Sequence, residues 1–179
     1  MPYPDKKVPR YSDKAFPPYR FIPRETPHPT EHPEGHSYKK KESPVEILTE
    51  TNWSRHPTYL YAVDLYNYGY WWEAHENFEQ LWRLYPKNDL TRNFFQGLIK
   101  ISAAFLKWQQ KQNRGTAIHY RGAMDLLQKV KSEKSFYLGI NLAEYLLKLE
   151  HCFQKMTDDP LVWPDSLAQY PFITLNPLS

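Results

Sequence analysis

The sequence predicts an all-α protein: a compact bundle of about five helices in antiparallel hairpins, with an extended proline-rich N-terminal arm and an extended C-terminal tail. Three observations support this prediction. Apolar side chains recur at helical rather than alternating spacing from residue 58 onward. Of the 16 prolines, eleven fall between Pro2 and Pro57, where they prevent regular helix. No phosphate-cradling glycine motif and no β-hairpin signal stands out.

The same shift in composition divides the chain into three parts. Residues 1–57 are the arm, 58–156 the helical domain and 157–179 the tail. Aromatic residues scattered along the arm predict that it docks in extended pieces on the domain or on a partner. The tail is apolar and proline-spaced, so we expect it to lie extended over the bundle.

The five helices are predicted from their apolar periodicity and from start and stop signals. Their expected spans are 58–68, 71–85, from about 88 to 112, from about 116 to 131, and 140–156. Gly69 and Pro86 are natural stops, and Asn88 or Asp89 can cap the third helix. Asn113-Arg114-Gly115 predicts a turn before the fourth helix.

The fifth helix has apolar residues almost all round, which predicts that it is the most buried of the five. Its Cys152 is expected to be a buried, inert thiol. In the third helix, Gly97, Ala103 and Ala104 would let a neighbouring helix approach closely.

Charge and composition exclude several classes of protein. The formal net charge is +3 and is spread along the chain, without the basic face of a nucleic-acid binder. No apolar run is long enough to span a bilayer, so no membrane partner is expected. A single cysteine suits a reducing compartment, and the N-terminus has no apolar signal segment. The expected location is cytoplasmic.

The second helix contains a cluster of polar side chains next to its apolar stripe. His75 and Glu79 are four residues apart and share a face, and Glu76 and Arg83 flank them. A His and a carboxylate one turn apart can bind a divalent metal or act as a general base. A zinc-protease signature would need a second His where Glu79 stands. A purely structural ion-pair network is the alternative interpretation.

The third helix adds Gln96 and Lys100, also four residues apart, with Lys107 further along the same side. If the second and third helices form an antiparallel hairpin, Gln96 and Lys100 face His75 and Glu79. A lysine there supplies the positive charge that a metal would otherwise supply. We therefore expect no metal and no other cofactor, and the cluster favours an anion or a structural role.

Five motifs occur in order along the chain: residues 68–76 (YGYWWEAHE) with Glu79, Trp82 and Arg83; 94–99 (FFQGLI) with Ala103 and Ala104; 113–115 (NRG); 138–141 (LGIN); and 171–175 (PFITL). In this order they resemble the motifs of an uncharacterised bacterial and archaeal family, DUF309. The resemblance spans about 58–175 and implies an all-helical fold; it implies no particular activity.

The resemblance also bears on single residues. His75, Glu76, Glu79, Arg83 and Gln96 lie on motif positions of the family. The chain departs from the family pattern in the polar set, at Lys100, Lys107 and Asn141.

Two main hypotheses about function follow. The first is a non-enzymatic binding or interaction module with a polar notch between the second and third helices, whose partner is an unknown protein or a small anionic ligand. The rival is a small metal-assisted or acid–base hydrolase-like enzyme, with His75 as base or ligand and Arg83 holding an anionic substrate. A homo-oligomer, in which the arm completes a neighbouring protomer, is a third possibility.

The arm contains a second pattern of potential metal ligands. His28, His32 and His36 are spaced four apart, as they would be in a helical metal ladder. Pro29 and Pro33 forbid that helix, so no specific site is predicted there.

Overall fold

The computed structural model describes residues 8–40, 44–158 and 170–176. Within these ranges the all-α prediction is confirmed: five helices pack against one another, with one short two-stranded sheet. The elements are a 3-10 helix Trp53–Arg55, α1 Pro57–Asn67, α2 Trp71–Trp82, α3 Leu90–Gln109, α4 Asn113–Glu133, β1 Phe136–Tyr137, β2 Ile140–Asn141 and α5 Leu142–Asp158. None of the described helices is both long and apolar enough to cross a membrane.

The most buried helix is α1, not α5 as the sequence predicted. Residues 61–67 of α1 are all buried, including the polar Asp64 and Asn67. Pro57 occupies its first turn, and the His56 side chain accepts a hydrogen bond from the Tyr59 backbone N–H. By contrast, the described residues of α5 are buried on one side only, and the apolar Leu147 on the other side is 67% exposed. Cys152, on the inner side of α5, is buried, as predicted.

Helix α2 ends at Trp82, three residues before the predicted end. The chain then turns ahead of Pro86, because a residue before proline disfavours helical backbone. Arg92 of α3 stabilises this turn: its guanidinium lies 3.8 Å from the centre of the Trp82 ring and donates to the Trp82 carbonyl oxygen at 3.3 Å. Asp89 caps α3 by accepting from the Thr91 and Arg92 backbone N–H groups, as predicted.

Helices α3 and α4 pack closely against each other. A Cβ atom on Gly97 would lie 2.6 Å from Leu127 of α4, so the predicted close approach at Gly97 is confirmed. The predicted turn at 113–115 is wrong, because Asn113 already begins α4. The chain reverses just before it, at Lys111, which has φ of 58°. The sequence did not indicate this reversal, because a residue other than glycine seldom adopts a positive φ and lysine gives no signal that it will.

The sequence did not predict the hairpin β1–β2, which pairs Phe136 with Asn141 and Tyr137 with Ile140. Its turn is made by Leu138 and Gly139, with φ of 46° and 83°. Two positive φ values fit a two-residue hairpin turn, but the usual first residue is Asn, Asp or Gly rather than Leu. The strands have two residues each, too few to show alternation.

The arm docks on the helical domain through two buried carboxylates. Asp64 of α1 accepts the backbone N–H groups of Tyr11 and Ser12 at 2.8 and 2.9 Å and the Ser12 hydroxyl at 2.7 Å. Glu73 of α2 accepts the Phe21 backbone N–H at 2.8 Å. The arm is therefore held at defined points. Its residues 9–17 have neither helix nor turn, whereas residues 23–40 form a succession of turns. Its assignment as a separate part of the chain stays a prediction.

The described part of the tail, residues 170–176, also lies extended over the bundle. Asn67 donates to the Ile173 carbonyl oxygen and accepts the Ile173 backbone N–H, both at 2.8 Å. The Leu175 backbone N–H donates to the Tyr11 hydroxyl at 2.9 Å, so the tail touches the arm. Other apolar tail residues singled out in the sequence, such as Trp163, lie outside the described residues.

Candidate functional site

Helix α2 places three potential ligand groups together. One ring nitrogen of His75 and one carboxylate oxygen each of Glu76 and Glu79 lie within 4.8 Å of one another, and all three residues are half-buried. Their spacing of one, three and four residues puts them on adjoining parts of one helix face. An imidazole nitrogen with two carboxylate oxygens is a donor set that suits zinc and other divalent transition metals.

Burial is the main influence on His75, and it lowers the pKa of the imidazole. Glu79 and a hydrogen bond to the Ile99 backbone of α3 act in the opposite direction, and Arg83 lowers the pKa further. The net effect favours the neutral imidazole, which is the form that coordinates metal or accepts a proton. Arg83 donates to Glu79, one turn earlier on α2, at 3.0 Å.

The long side chain of Lys100 lies along α4. Its Nζ is 3.2 Å from the position that a Cβ atom on Gly122 would occupy. Lys107 lies in the same way over Gly115, with Cγ and Cδ 3.4 Å from the corresponding position. The two glycines are seven residues apart and therefore share one face of α4. Both lysine stems pack against this face because it lacks side chains at those two positions.

Between the two glycines, on the same face of α4, lies His119, which the sequence analysis missed. Burial lowers the pKa of His119, and electrostatic interactions with Lys100, Lys107 and His75 lower it further. Its Nδ1 atom is buried and has no hydrogen-bond partner among the described residues. The spacing of Gly115, His119 and Gly122 by four and three residues indicates that they share one face of a helix, so the sequence did contain a signal for His119. That signal lies outside the polar clusters of α2 and α3 that the sequence analysis considered.

We call Lys100, Lys107 and His119 the basic row. These residues from α3 and α4 bring two permanent positive charges and one titratable ring to one side of the bundle, beside His75 of α2. A concentration of positive charge with a free ring nitrogen is suited to holding a small anion.

The notch between α2 and α3 into which the sequence grouped these residues stays a prediction. His75, Glu76, Glu79 and Arg83 lie together on α2. Lys100 acts on His119, whereas the charges that act on His75 are those of Glu79 and Arg83. Gln96 is half-buried one turn before Lys100 on α3, and its part in a site stays a prediction.

The histidines of the arm do not form a helical ladder. His36 lies with Nε2 3.2 Å from Oε1 of the buried Glu73. The His28 ring packs edge-on against Phe21 and Trp72, with ring centres 4.9 and 5.3 Å apart. His32 is exposed.

Comparison with known proteins gives a match to the N-terminal part of the helical domain. No curated protein matches the chain. A family model described as Domain of unknown function (DUF309) matches residues 59–118, about a third of the chain. The match includes α1 to α3, with His75, Glu76, Glu79, Arg83, Gln96 and both lysines of the basic row, and it ends one residue before His119. Over these residues, the resemblance to the DUF309 family that the sequence motifs predicted is confirmed.

Proposed function

We propose that this protein is a binding module whose basic row holds a small anion, such as a sulfate-, phosphate- or carboxylate-bearing molecule. The observation that supports this most directly is His119: two lysines flank it, and its buried Nδ1 atom is without a partner among the described residues. An anion placed there would neutralise clustered like charges and could accept a hydrogen bond from the imidazolium.

Protonation of His119 gives this proposal a defined pH dependence. Its pKa is lowered in the free protein, so the ring is neutral over part of the range below its ordinary pKa. A bound anion favours the imidazolium and raises the pKa. Anion affinity is therefore greatest at a pH below the pKa of His119 in the anion-free protein. It falls as the pH rises from that pKa to the higher pKa of His119 in the anion-bound protein, and it is lowest above the higher value.

We expect sulfate to bind more tightly at about pH 5 than at about pH 8 when ionic strength is low. Sulfate is a suitable probe because it stays a dianion over this range, so the pH effect reports the protein. Lys100→Met and Lys107→Met keep most of the apolar stem and remove the charge, and each is expected to weaken sulfate binding about five- to tenfold. NMR titration following the His119 ring signals measures both the affinity and the pKa.

Lys129→Met is the matched control, because Lys129 is an exposed lysine of α4. It is expected to leave the affinity for sulfate unchanged. If Lys129→Met and Lys100→Met weaken sulfate binding equally, the effect comes from the net charge of the protein and not from the basic row. Sulfate binding that does not move the His119 signals would contradict the proposal.

A divalent metal site is a second candidate, favoured by the 4.8 Å grouping of His75, Glu76 and Glu79. It would support the metal-assisted chemistry of the rival hypothesis, with His75 as a neutral ligand. Calorimetric titration of the full chain with zinc is expected to show a site, and His75→Ala is expected to lower its zinc affinity at least about 10–100-fold. Removing a residue that only hydrogen-bonds to a metal ligand already lowers metal affinity by about this factor.

His151→Ala is the control for this titration, because His151 is exposed on α5. Zinc bound by the arm histidines would persist in both variants. Zinc affinity that is identical in the wild type and in His75→Ala would exclude the metal candidate and leave the anion site.

A further inference from the structure

A cavity of about 580 Å³ lies between the arm and α1 and α2. Its lining includes Glu73 and Asn77 from α2, Tyr61 from α1, and Phe16 and Lys14 from the arm. The residues of the basic row are not among those that line it. The volume is in the range of about 300–1,000 Å³ that is usual for small-molecule sites.

Among the side chains that line this cavity is the carboxylate of Glu73, a residue only 4% exposed. Oε1 accepts the Phe21 backbone N–H at 2.8 Å and lies 3.2 Å from Nε2 of His36. Oε2 is buried and has no hydrogen-bond partner among the described residues. A buried carboxylate oxygen without a partner is unfavourable, so a ligand that donates to Oε2 gains a strong, charge-assisted hydrogen bond.

The remaining lining provides apolar surface and positive charge. Phe16, Tyr61 and Trp72 contribute aromatic rings. Lys14 and Lys40 are exposed, so they lie toward solvent, and the Lys14 ammonium is 4.2 Å from the centre of the Tyr61 ring.

Apart from the His36 imidazole, which lies beside Glu73, the charges of the side chains around the cavity are balanced. Lys14 and Lys40 provide two positive charges, and Glu73 and Glu76 provide two negative charges. The negative charge of Glu73 is buried, whereas both positive charges lie toward solvent. A ligand complementary to this arrangement has a cationic donor at its inner end, an apolar middle and an anionic outer end.

We propose that this cavity is a binding site for a small zwitterion, whose protonated amine donates to Oε2 of Glu73 and whose carboxylate or other anionic group pairs with Lys14 and Lys40. The aromatic rings contact the apolar segment between the two ends. The site is separate from the anion site of the basic row, although α2 contributes to the surroundings of both.

The probe for this site is 6-aminohexanoate, with hexanoate and hexylamine as analogues that each lack one end. In NMR titrations of the full chain that follow the Trp72 indole N–H, we expect 6-aminohexanoate to bind saturably with Kd of about 1 mM or tighter. Each analogue is expected to bind at least about fivefold more weakly.

Glu73→Gln is expected to weaken 6-aminohexanoate at least about tenfold, while its amide oxygen still accepts the Phe21 backbone N–H. Lys14→Met tests the outer end with a variant that leaves the buried anchor intact, and is expected to weaken binding about threefold or more. Glu144→Gln, an exposed carboxylate of α5, is the matched control. Lys100→Met separates this site from the basic row and is expected to leave 6-aminohexanoate binding unchanged.

Absence of saturable binding to the wild type overturns the proposal. Binding that neither Glu73→Gln nor Lys14→Met weakens overturns it as well. If Glu73→Gln does not give the native NMR spectrum, Lys14→Met and the two analogues decide the matter.

Discussion

Replacing Asp64 with alanine is expected to lower the free energy of unfolding by about 3–5 kcal/mol and to release the arm from the helical domain. The Asp64 carboxylate is fully buried, and it accepts three hydrogen bonds from Tyr11 and Ser12. Arg10 is its cationic neighbour, with Nε 3.4 Å from Oδ2. Without the carboxylate, the backbone donors of the arm either stay in place unpaired, at about 1–3 kcal/mol each, or move into water with the arm.

Urea unfolding measures the loss of stability, and limited proteolysis of the native protein measures the release of the arm. Asp64→Asn keeps one acceptor oxygen and is expected to cost less than Asp64→Ala. Asp125→Ala, at an exposed position of α4, serves as the control. An arm that resists protease equally well in Asp64→Ala and in the wild type would show that this carboxylate is not what holds it.

Replacing Gly139 with alanine is expected to lower the free energy of unfolding by about 2–4 kcal/mol. Two independent costs act at this position. The backbone has φ of 83°, which an alanine adopts only with strain. The new Cβ would also lie 2.5 Å from the indole ring of Trp53, a buried side chain whose movement would disturb its neighbours.

The loss of stability in Gly139→Ala is expected to extend beyond the hairpin, because the hairpin turn forms hydrogen bonds with α1 and with the tail. The Tyr59 hydroxyl donates to the Leu138 carbonyl oxygen at 2.7 Å, and the Asn176 backbone N–H donates to the Gly139 carbonyl oxygen at 2.8 Å. Urea unfolding monitored by tryptophan fluorescence measures the change.

Gly115→Ala is the comparison variant for Gly139→Ala. It places the same methyl group in a helix, 3.4 Å from the Lys107 stem, and is expected to be neutral or to stabilise by up to about 1 kcal/mol. Similar losses in both variants would mean that neither the left-handed backbone nor the Trp53 contact matters.

The sequence was sufficient to predict where the helices lie, because the signals that begin and continue a helix are local. Pro57, Asp89 and the apolar periodicity depend on neighbours within one or two turns, and the observed helices begin close to the predicted residues. The errors came where a residue adopts a conformation against its usual preference. Lys111 and Leu138 both have positive φ, and both mark chain reversals that residue type does not indicate.

The candidate site was predictable in part, for a related reason. Its α2 members are neighbours on one helix, so their proximity follows from helical spacing alone. The directions of Lys100 and Lys107 each depend on one glycine of another helix, and the position of His119 depends on how α4 packs on α3. Likewise, Asp64 and Glu73 look like ordinary surface carboxylates of amphipathic helices. Only the docked arm, more than 50 residues away in sequence, makes them buried acceptors.

The contact between Tyr11 and Leu175 joins residues that are 164 positions apart. During synthesis the arm leaves the ribosome before α1 and α2, so its two carboxylate anchors do not yet exist when its own donors appear. The contact between Tyr11 and Leu175 forms only after residue 175 has been made, and therefore after the sequences of all five helices. A nascent chain that stalls before residue 175 lacks this link between arm and tail.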